Sequence, residues 1–407
     1  MRRPLLLSTA ALLALAFDAS AGAQQRTPPR PRLAAQADTN DAAAYYAHGV
    51  AKLEDDPRQA ADAFWWAARL NPAWADPLYA RRVALHAADA RRFVRYMERD
   101  ARVVRSPEVQ AIDSLHLRAL TLDPFLYPRH DRFLLQAGLS EAIDRAIKRD
   151  YGLGAAPSAA ERAQMAREMM TDASPAARAW LAFSSGDFPS ALRNYDAALR
   201  TARWKSELYA DKARVLYLTG AYGASLEAMR LALEEKRKED RRDLVFVYES
   251  KALYEHSIGN VLERLGRPGE AREAYGRALT EDLAFHPAHV RLSRLALAAG
   301  DTATAVSEME LAVQIRGDDP ALRMEYARVL AEARRHAEAA AELRRAVELD
   351  PDYAEPYQML GRIHDASGMT EEALGFYDQF TARAARTDPL LEWTRQRAAA
   401  LRAAPGG

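Results

Sequence analysis

The sequence contains no cysteine in 407 residues. That excludes a disulfide framework, a thiolate metal site, a cysteine nucleophile and a lipidated cysteine at a processing site. Net charge is also missing, since 57 basic residues face 57 acidic ones. A balanced chain of pI near 7.2 gives no electrostatic footprint for nucleic acid or a membrane surface. Aromatics are only 8%. Runs of alternating β-branched residues are lacking, and Ala, Leu, Arg and Glu dominate, so helix formers prevail throughout.

What is present begins with a processing signal. Arg2 and Arg3 precede an apolar stretch from Leu5 to Phe17, and Ala21-Gly22-Ala23 supplies small-x-small residues. That stretch is 13 residues, against the roughly 20 needed to cross a bilayer, so cleavage is expected rather than anchoring. Cleavage after Ala23 removes Arg2, Arg3 and Asp18 and leaves 55 basic and 56 acidic residues. No membrane span is expected after it. Residues 24–40, with prolines at 28, 29 and 31, read as a flexible leader. The Ala- and Arg-rich composition behind such a signal points to a bacterial envelope, periplasmic or extracellular.

Internal periodicity is the strongest feature. Gly266, Ala271, Tyr275, Ala278 and Leu279 form a pattern that recurs as Gly300, Ala305, Met309, Ala312 and Val313. It recurs again as Ala339, Leu343, Ala346 and Val347, and as Gly368, Ala373, Tyr377 and Phe380. The alanines at 271, 305, 339 and 373 are each 34 residues apart. Gly186, Ala191, Tyr195, Ala198 and Gly220, Ser225, Met229, Ala232 make an upstream pair at the same spacing.

This pattern resembles the tetratricopeptide-repeat family over residues 172–388, as six repeats. The resemblance implies an all-α, right-handed superhelical solenoid of antiparallel helix hairpins that binds protein. It also implies small residues at the eighth and twentieth positions of each unit, where the two helices approach closely. The eighth position holds Ala179, Ala213, Gly259, Ser293, Ala327 and Gly361, all small. Pro351 sits where the family breaks one repeat from the next.

The register has one interruption. Ser225 to Ala271 spans 46 residues, 12 more than 34, placing an insertion near 240–251 beside the charge run 234–243. A solvated lengthening of the flanking helices is expected there. Upstream, Ala60, Phe64, Ala67 and Pro72 suit the second helix of a diverged hairpin over 41–75. Residues 76–171 form an irregular helical region expected to continue the superhelix. Residues 389–407 should form a capping helix and tail.

Chemistry is hard to place on this chain. No His-Glu-x-x-His motif and no phosphate-cradling glycine loop occurs, so no catalytic residue, metal ligand or cofactor is assigned. His286 and His289 share a helix face without a third ligand at usable spacing. Tyr127, Arg129, His130 and Arg132, behind Phe125 and between turn-forming prolines, are a candidate recognition loop or a packed bend. Trp65 and Trp66 lie about 100° apart on a helix, so one can be core while the other faces out.

The resemblance implies an inner surface built from the first helix of each repeat. Its ninth position holds Trp180, Arg214, Asn260, Arg294, Arg328 and Arg362. Arg214, Asn260, Arg294, Arg328 and Arg362 are therefore the candidate groove residues. Three successive arginines at one depth suit bidentate capture of carboxylates on an acidic or extended protein segment. The opposing expectation is that these arginines pair with Glu325, Glu332 or Asp365 of neighbouring turns. The fifth positions, His256, Val290, Met324 and Gln358, lack the Lys and Asn clamp that family members binding chaperone tails use. A scaffold or assembly adaptor of the envelope is the reading reached. An enzyme of glycan or protein processing with its site in 76–173, and a purely structural spacer, are the alternatives.

Overall fold

Helix formers and Asp, Ser and Pro at the expected starts give α-helix wherever regular structure occurs among the described residues, and no strand is found there. The structure, a computed structural model, describes residues 27–53, 55–89, 92, 95, 101–123, 125, 174–184, 186–242 and 251–403. The signal segment lies outside them. The first helices are α1 (Ala42–Lys52), α2 (Pro57–Leu70), α3 (Asp76–Ala87), α4 (Ala101–Val104) and α5 (Pro107–Leu122). Then come α6 (Pro175–Ser184), α7 (Phe188–Thr201), α8 (Ser206–Leu218), α9 (Tyr222–Arg242), α10 (Lys251–Arg264) and α11 (Pro268–Glu281). The last are α12 (His286–Ala298), α13 (Thr302–Ile315), α14 (Pro320–Glu332), α15 (His336–Leu349), α16 (Glu355–Ala366), α17 (Thr370–Arg383) and α18 (Leu391–Ala403). Side chains of Asp41, Asp56, Ser106, Asp187, Asp301 and Asp319 accept from backbone N–H groups of the first turns that follow, satisfying donors a helix start leaves open.

Consecutive helices pack as antiparallel hairpins, and each hairpin with the next, giving an all-α repeat solenoid. The close approach within a hairpin can be read from volumes. A Cβ placed on Gly259 would stand 2.4 Å from the Tyr275 ring, and one on Gly361 would stand 2.5 Å from Tyr377. Both rings are fully buried. Where Met309 or Leu343 replaces the aromatic, the opposing residue is Ser293 or Ala327, so these hairpins keep nearly the same sum of two volumes, while α6–α7 sets Ala179 opposite Tyr195. Serines confirm how near the backbones lie. Ser225 donates its hydroxyl to the Ala213 carbonyl at 2.8 Å, and Ser293 donates to the Ala305 carbonyl at 2.7 Å.

The hairpin α1–α2 carries the same lock, because a Cβ on Gly49 would sit 2.6 Å from Phe64. Gly49 to Ala60 spans 11 residues against 12 from Gly259 to Ala271, so its turn is one residue shorter. Trp66 is buried against Tyr45, and Trp65 is half-buried beside it in an edge-on contact.

The charge run does more than face water. Helix α9 extends to Arg242, 21 residues against 14 for α11. From that extension, Glu239 accepts from the backbone N–H groups of Lys205 and Ser206 at 2.8 and 3.0 Å, capping α8. Arg237 pairs with Glu255 at 3.3 Å and with Glu281 at 3.0 Å, while Arg277 reaches Glu255 at 2.9 Å. Glu255 is 2% exposed, so its charge depends on these two guanidinium groups. Three helices, α9, α10 and α11, thus meet on one carboxylate where the repeat register breaks.

Residues 27–125 also reach far along the chain. Leu78, Tyr79, Ala119, Leu120 and Phe125 share one buried apolar cluster with Ala210, His256's neighbour Phe285, and Ala288. Phe125 stacks on Tyr217 with ring centroids 3.8 Å apart. Arg118 pairs with Asp319 at 3.2 Å, and Arg69 with Asp350 and Asp352 at 3.0 and 3.1 Å. Asn40 donates to the carbonyls of Ala382 and Ala384, and Arg386 donates its backbone N–H to Asp38 and its guanidinium to the Gln36 carbonyl. The end of the expected flexible leader is thereby tied down by hydrogen bonds. The region expected to continue the superhelix instead sets α3 and α5 alongside repeats that lie later in the chain.

Candidate protein-binding groove

The first helices of the repeats, α6, α8, α10, α12, α14 and α16, carry the ninth-position residues directly after the small eighth residue. The small residue faces its hairpin partner, so the ninth projects about 100° away from that contact. Local folding therefore positions the row, and its members differ sharply in environment.

Arg214 is 7% exposed and pairs with Asp211 at 2.7 Å within its own helix. Asn260 is buried as well. Its side-chain oxygen accepts from Arg291 Nε at 2.8 Å, with a second contact to the same guanidinium, and from the Tyr275 hydroxyl at 3.2 Å. The single Tyr275 hydroxyl proton is shared between Asn260 and Glu263, which Arg291 approaches at 3.4 Å. Burial, with the nearby Arg291 and His286, pushes His256 down to about 3, so this part of the row holds a neutral imidazole at neutral pH. Both positions are buried and bonded within the array.

Arg294, Arg328 and Arg362 are exposed. Arg294 pairs with Glu325 at 2.8 Å. Arg328 contacts Glu325 at 3.5 Å and also Glu355, which accepts from the Tyr353 hydroxyl at 2.9 Å. Partial burial disfavours the Arg328 charge, but Glu355, Tyr353 and Glu325 together outweigh that and raise its pKa. Arginine and carboxylate therefore alternate across α12, α14 and α16. Arg362 makes no ion pair among the described residues, and its guanidinium lies 6.0 Å from the centre of the Trp393 ring. Asp365, one turn on, is taken by a bidentate pair from Arg397, both bonds at 2.7 Å.

Tyr127, Arg129, His130 and Arg132 lie outside the described residues, as does all of 126–173. Phe125 beside them is buried in the apolar cluster. His289 hydrogen-bonds Glu308 at 2.7 Å, and burial pushes His286 down to about 4. Among the described residues no group of His, Asp and Glu is arranged to hold a metal, and no helix is long and apolar enough to cross a membrane. Sequence spacing missed Glu255, Arg69 and Arg118, whose partners lie on other helices or turns. The acidic turns at 318–319 and 350–352 were the available signal for the last two.

Tetratricopeptide-repeat models match residues 176–240, 256–320, 291–354 and 330–403. The gap at 241–255 falls where the register breaks. A comparison with curated proteins finds no match. Among solved structures, the chain is similar to the C-terminal part of a TPR repeat-containing protein from Cytophaga hutchinsonii, at 15% identity over 54% of this chain and 83% of that one, TM-score 0.45. It is similar to PilW, described as a widely conserved type IV pilus biogenesis factor, at 17% identity over 54% of this chain and 96% of that one, TM-score 0.42. YrrB, a TPR protein with an unusual peptide-binding site, matches at 19% identity over 50% and 97%, TM-score 0.38. With matched models spanning more than half its length, and the hairpin locks built as that repeat requires, the chain belongs to the tetratricopeptide-repeat family.

Proposed function

We propose that this protein is a protein–protein interaction scaffold or assembly adaptor of the bacterial envelope, exported by its N-terminal signal. The surface of α12, α14 and α16 binds an extended partner segment carrying carboxylates. The observation that supports this is the exposure of Arg294, Arg328 and Arg362 at one repeat position on three successive first helices. Arg362 offers a guanidinium with no carboxylate partner among the described residues. Arg294 and Arg328 share Glu325, so a ligand carboxylate there competes with an internal one. An exposed internal pair contributes about 0–1 kcal/mol, so displacing Glu325 from these arginines costs little.

The structural-spacer reading draws on the same alternation, since Glu325 and Glu355 already answer two of the three arginines. One variant separates the two readings. Arg294, Arg328 and Arg362 are replaced together by Ala, and a partner captured by the mature protein from envelope extract is titrated against both forms. The scaffold reading expects affinity to weaken by a few kcal/mol, about a hundredfold, with a shallower salt dependence and nearly unchanged melting. Intact affinity with lowered melting would leave the arginines a purely structural role.

A further inference from the structure

The contacts of the N-terminal segment follow an order. Asp38 and Asn40 meet the turn between α17 and α18, at Ala382, Ala384 and Arg386. Arg69 meets the turn between α15 and α16, at Asp350 and Asp352. Arg118 meets the turn between α13 and α14, at Asp319. Leu120 and Phe125 then share a cluster with Phe285, from the turn between α11 and α12. As the segment advances, the turns recede by one repeat at a time, so it runs antiparallel to the array.

Charge matches at the three polar steps. The turns at 319, at 350–352 and at 386 present Asp, Asp and Arg. The last turn, where the sign reverses, meets Asp38, while the acidic turns meet arginines. A register error of one repeat would set Asp38 against Asp350 and Asp352, and like charges so placed repel. The outermost clasp is shallow, with the Arg386 side chain 66% exposed, whereas at the next one Arg69 and Asp350 are 20% and 7% exposed. An exposed pair like the first contributes about 0–1 kcal/mol, so it selects a register without locking it. The apolar cluster holds α3 and α5 firmly and a second buried cluster packs α1 and α2 on α3, whereas along the turns residues 36–70 are held mainly by these polar contacts.

We propose that the row of inter-repeat turns is an interaction surface that reads guanidinium and carboxylate groups in a fixed order, and that the chain's own residues 36–70 occupy it in cis as a displaceable strap. Any external segment using that edge must carry the same order of charges and must displace the strap. This stands apart from the groove reading, because it concerns a different face and needs no partner to be tested.

The absence of cysteine allows clean labelling. Spin labels on Arg58→Cys and Glu371→Cys, both exposed sites on α2 and α17, report the distance between strap and array. The parent should give one narrow distribution. Combining Asp38→Ala, Asn40→Ala and Arg69→Ala should broaden it toward longer distances with helix content retained. Arg386→Asp should open the outer clasp, and adding Asp38→Arg should close it again. Should the triple variant fail to fold, Arg386→Ala alone should raise amide exchange in α1 by about tenfold. An unchanged distribution in the opened variants, no rescue by the charge swap, or unchanged exchange would overturn the proposal. A strap distance that appears only between differently labelled copies would show occupancy in trans and overturn the cis assignment.

Discussion

The hairpins α16–α17 and α1–α2 use the same lock, a glycine beneath an aromatic ring, and yet belong to different kinds of structure. Gly361 and Tyr377 sit in an array where each helix packs mainly on the helix before and after it. Gly49 and Phe64 sit in a hairpin whose polar partners lie 283 to 350 residues away. A local packing rule therefore builds the unit, while charge placed on the turns decides where the unit goes. Hairpin formation and hairpin placement are separable in this chain.

Breaking the lock should have the largest effect. Gly361→Leu forces a side chain into the Tyr377 ring and should cost about 3 kcal/mol or more, seen as a lowered melting temperature of the array. Gly49→Leu should cost its hairpin a similar amount, but as an earlier, partial transition with α10 to α17 still folded. A single shared transition in both variants would mean the two regions unfold as one.

The junction at Glu255 comes next. Glu255→Ala leaves Arg237 and Arg277 without their shared acceptor, and both are nearly half exposed, so water recovers part of the loss. Destabilisation of about 1–2 kcal/mol in denaturant titration is expected.

Proton concentration tests the strap alone. Burial pushes the Asp350 carboxyl up to about 6 against the opposing pull of Arg69, with Asp352, Tyr357 and Arg383 also facing this turn. A carboxyl raised in the docked state binds its proton more tightly there than when released. Docking is therefore favoured as pH falls through about 6 and loses that contribution as pH rises above it. The difference is at most about 3 kcal/mol. Exchange in α1 and α2, corrected for intrinsic rates, should be slower at pH 5 than at pH 7.5, and Asp350→Asn should flatten the dependence.

The smallest effect concerns a turn. Arg334 has φ of 59°, in the left-handed region where Gly266, Gly300 and Gly368 stand at equivalent positions. Arg334→Gly relieves steric cost but frees the unfolded chain, so a gain of about 0.5–1 kcal/mol in stability is expected. A loss would show that the Arg334 side chain stabilises the turn more than its backbone strains it.

The array was legible in the sequence because a 34-residue period repeats the same small residue and the same bulky one. Those are nearest-neighbour constraints, and spacing records them. The diverged hairpin expected over 41–75 was read without Gly49, since a turn shortened by one residue hides its register. Arg294, Arg328 and Arg362 were found at one position and are exposed, yet the burial of Arg214 and Asn260 at that same position depends on what packs over them. The strap contacts pair Asp38 with Arg386 and Arg69 with Asp350, separations that no local pattern encodes. Only the order of charges on the turns carried them, and it is readable once the partner segment is known.

Closure by the strap also changes how the chain can come apart. An open repeat array is nearly one-dimensional, so its end units fray first and unfolding spreads inward. Here the last repeat is tied at Ala382, Ala384 and Arg386 to residues near the other end of the described chain. Fraying at the C-terminal end must first open a loop of more than 340 residues, which couples the end units to the middle. Such long-range closure slows folding, because distant segments must meet before their contacts form. Once made, it should lengthen the lifetime of the terminal repeats against proteases that wait for a free end.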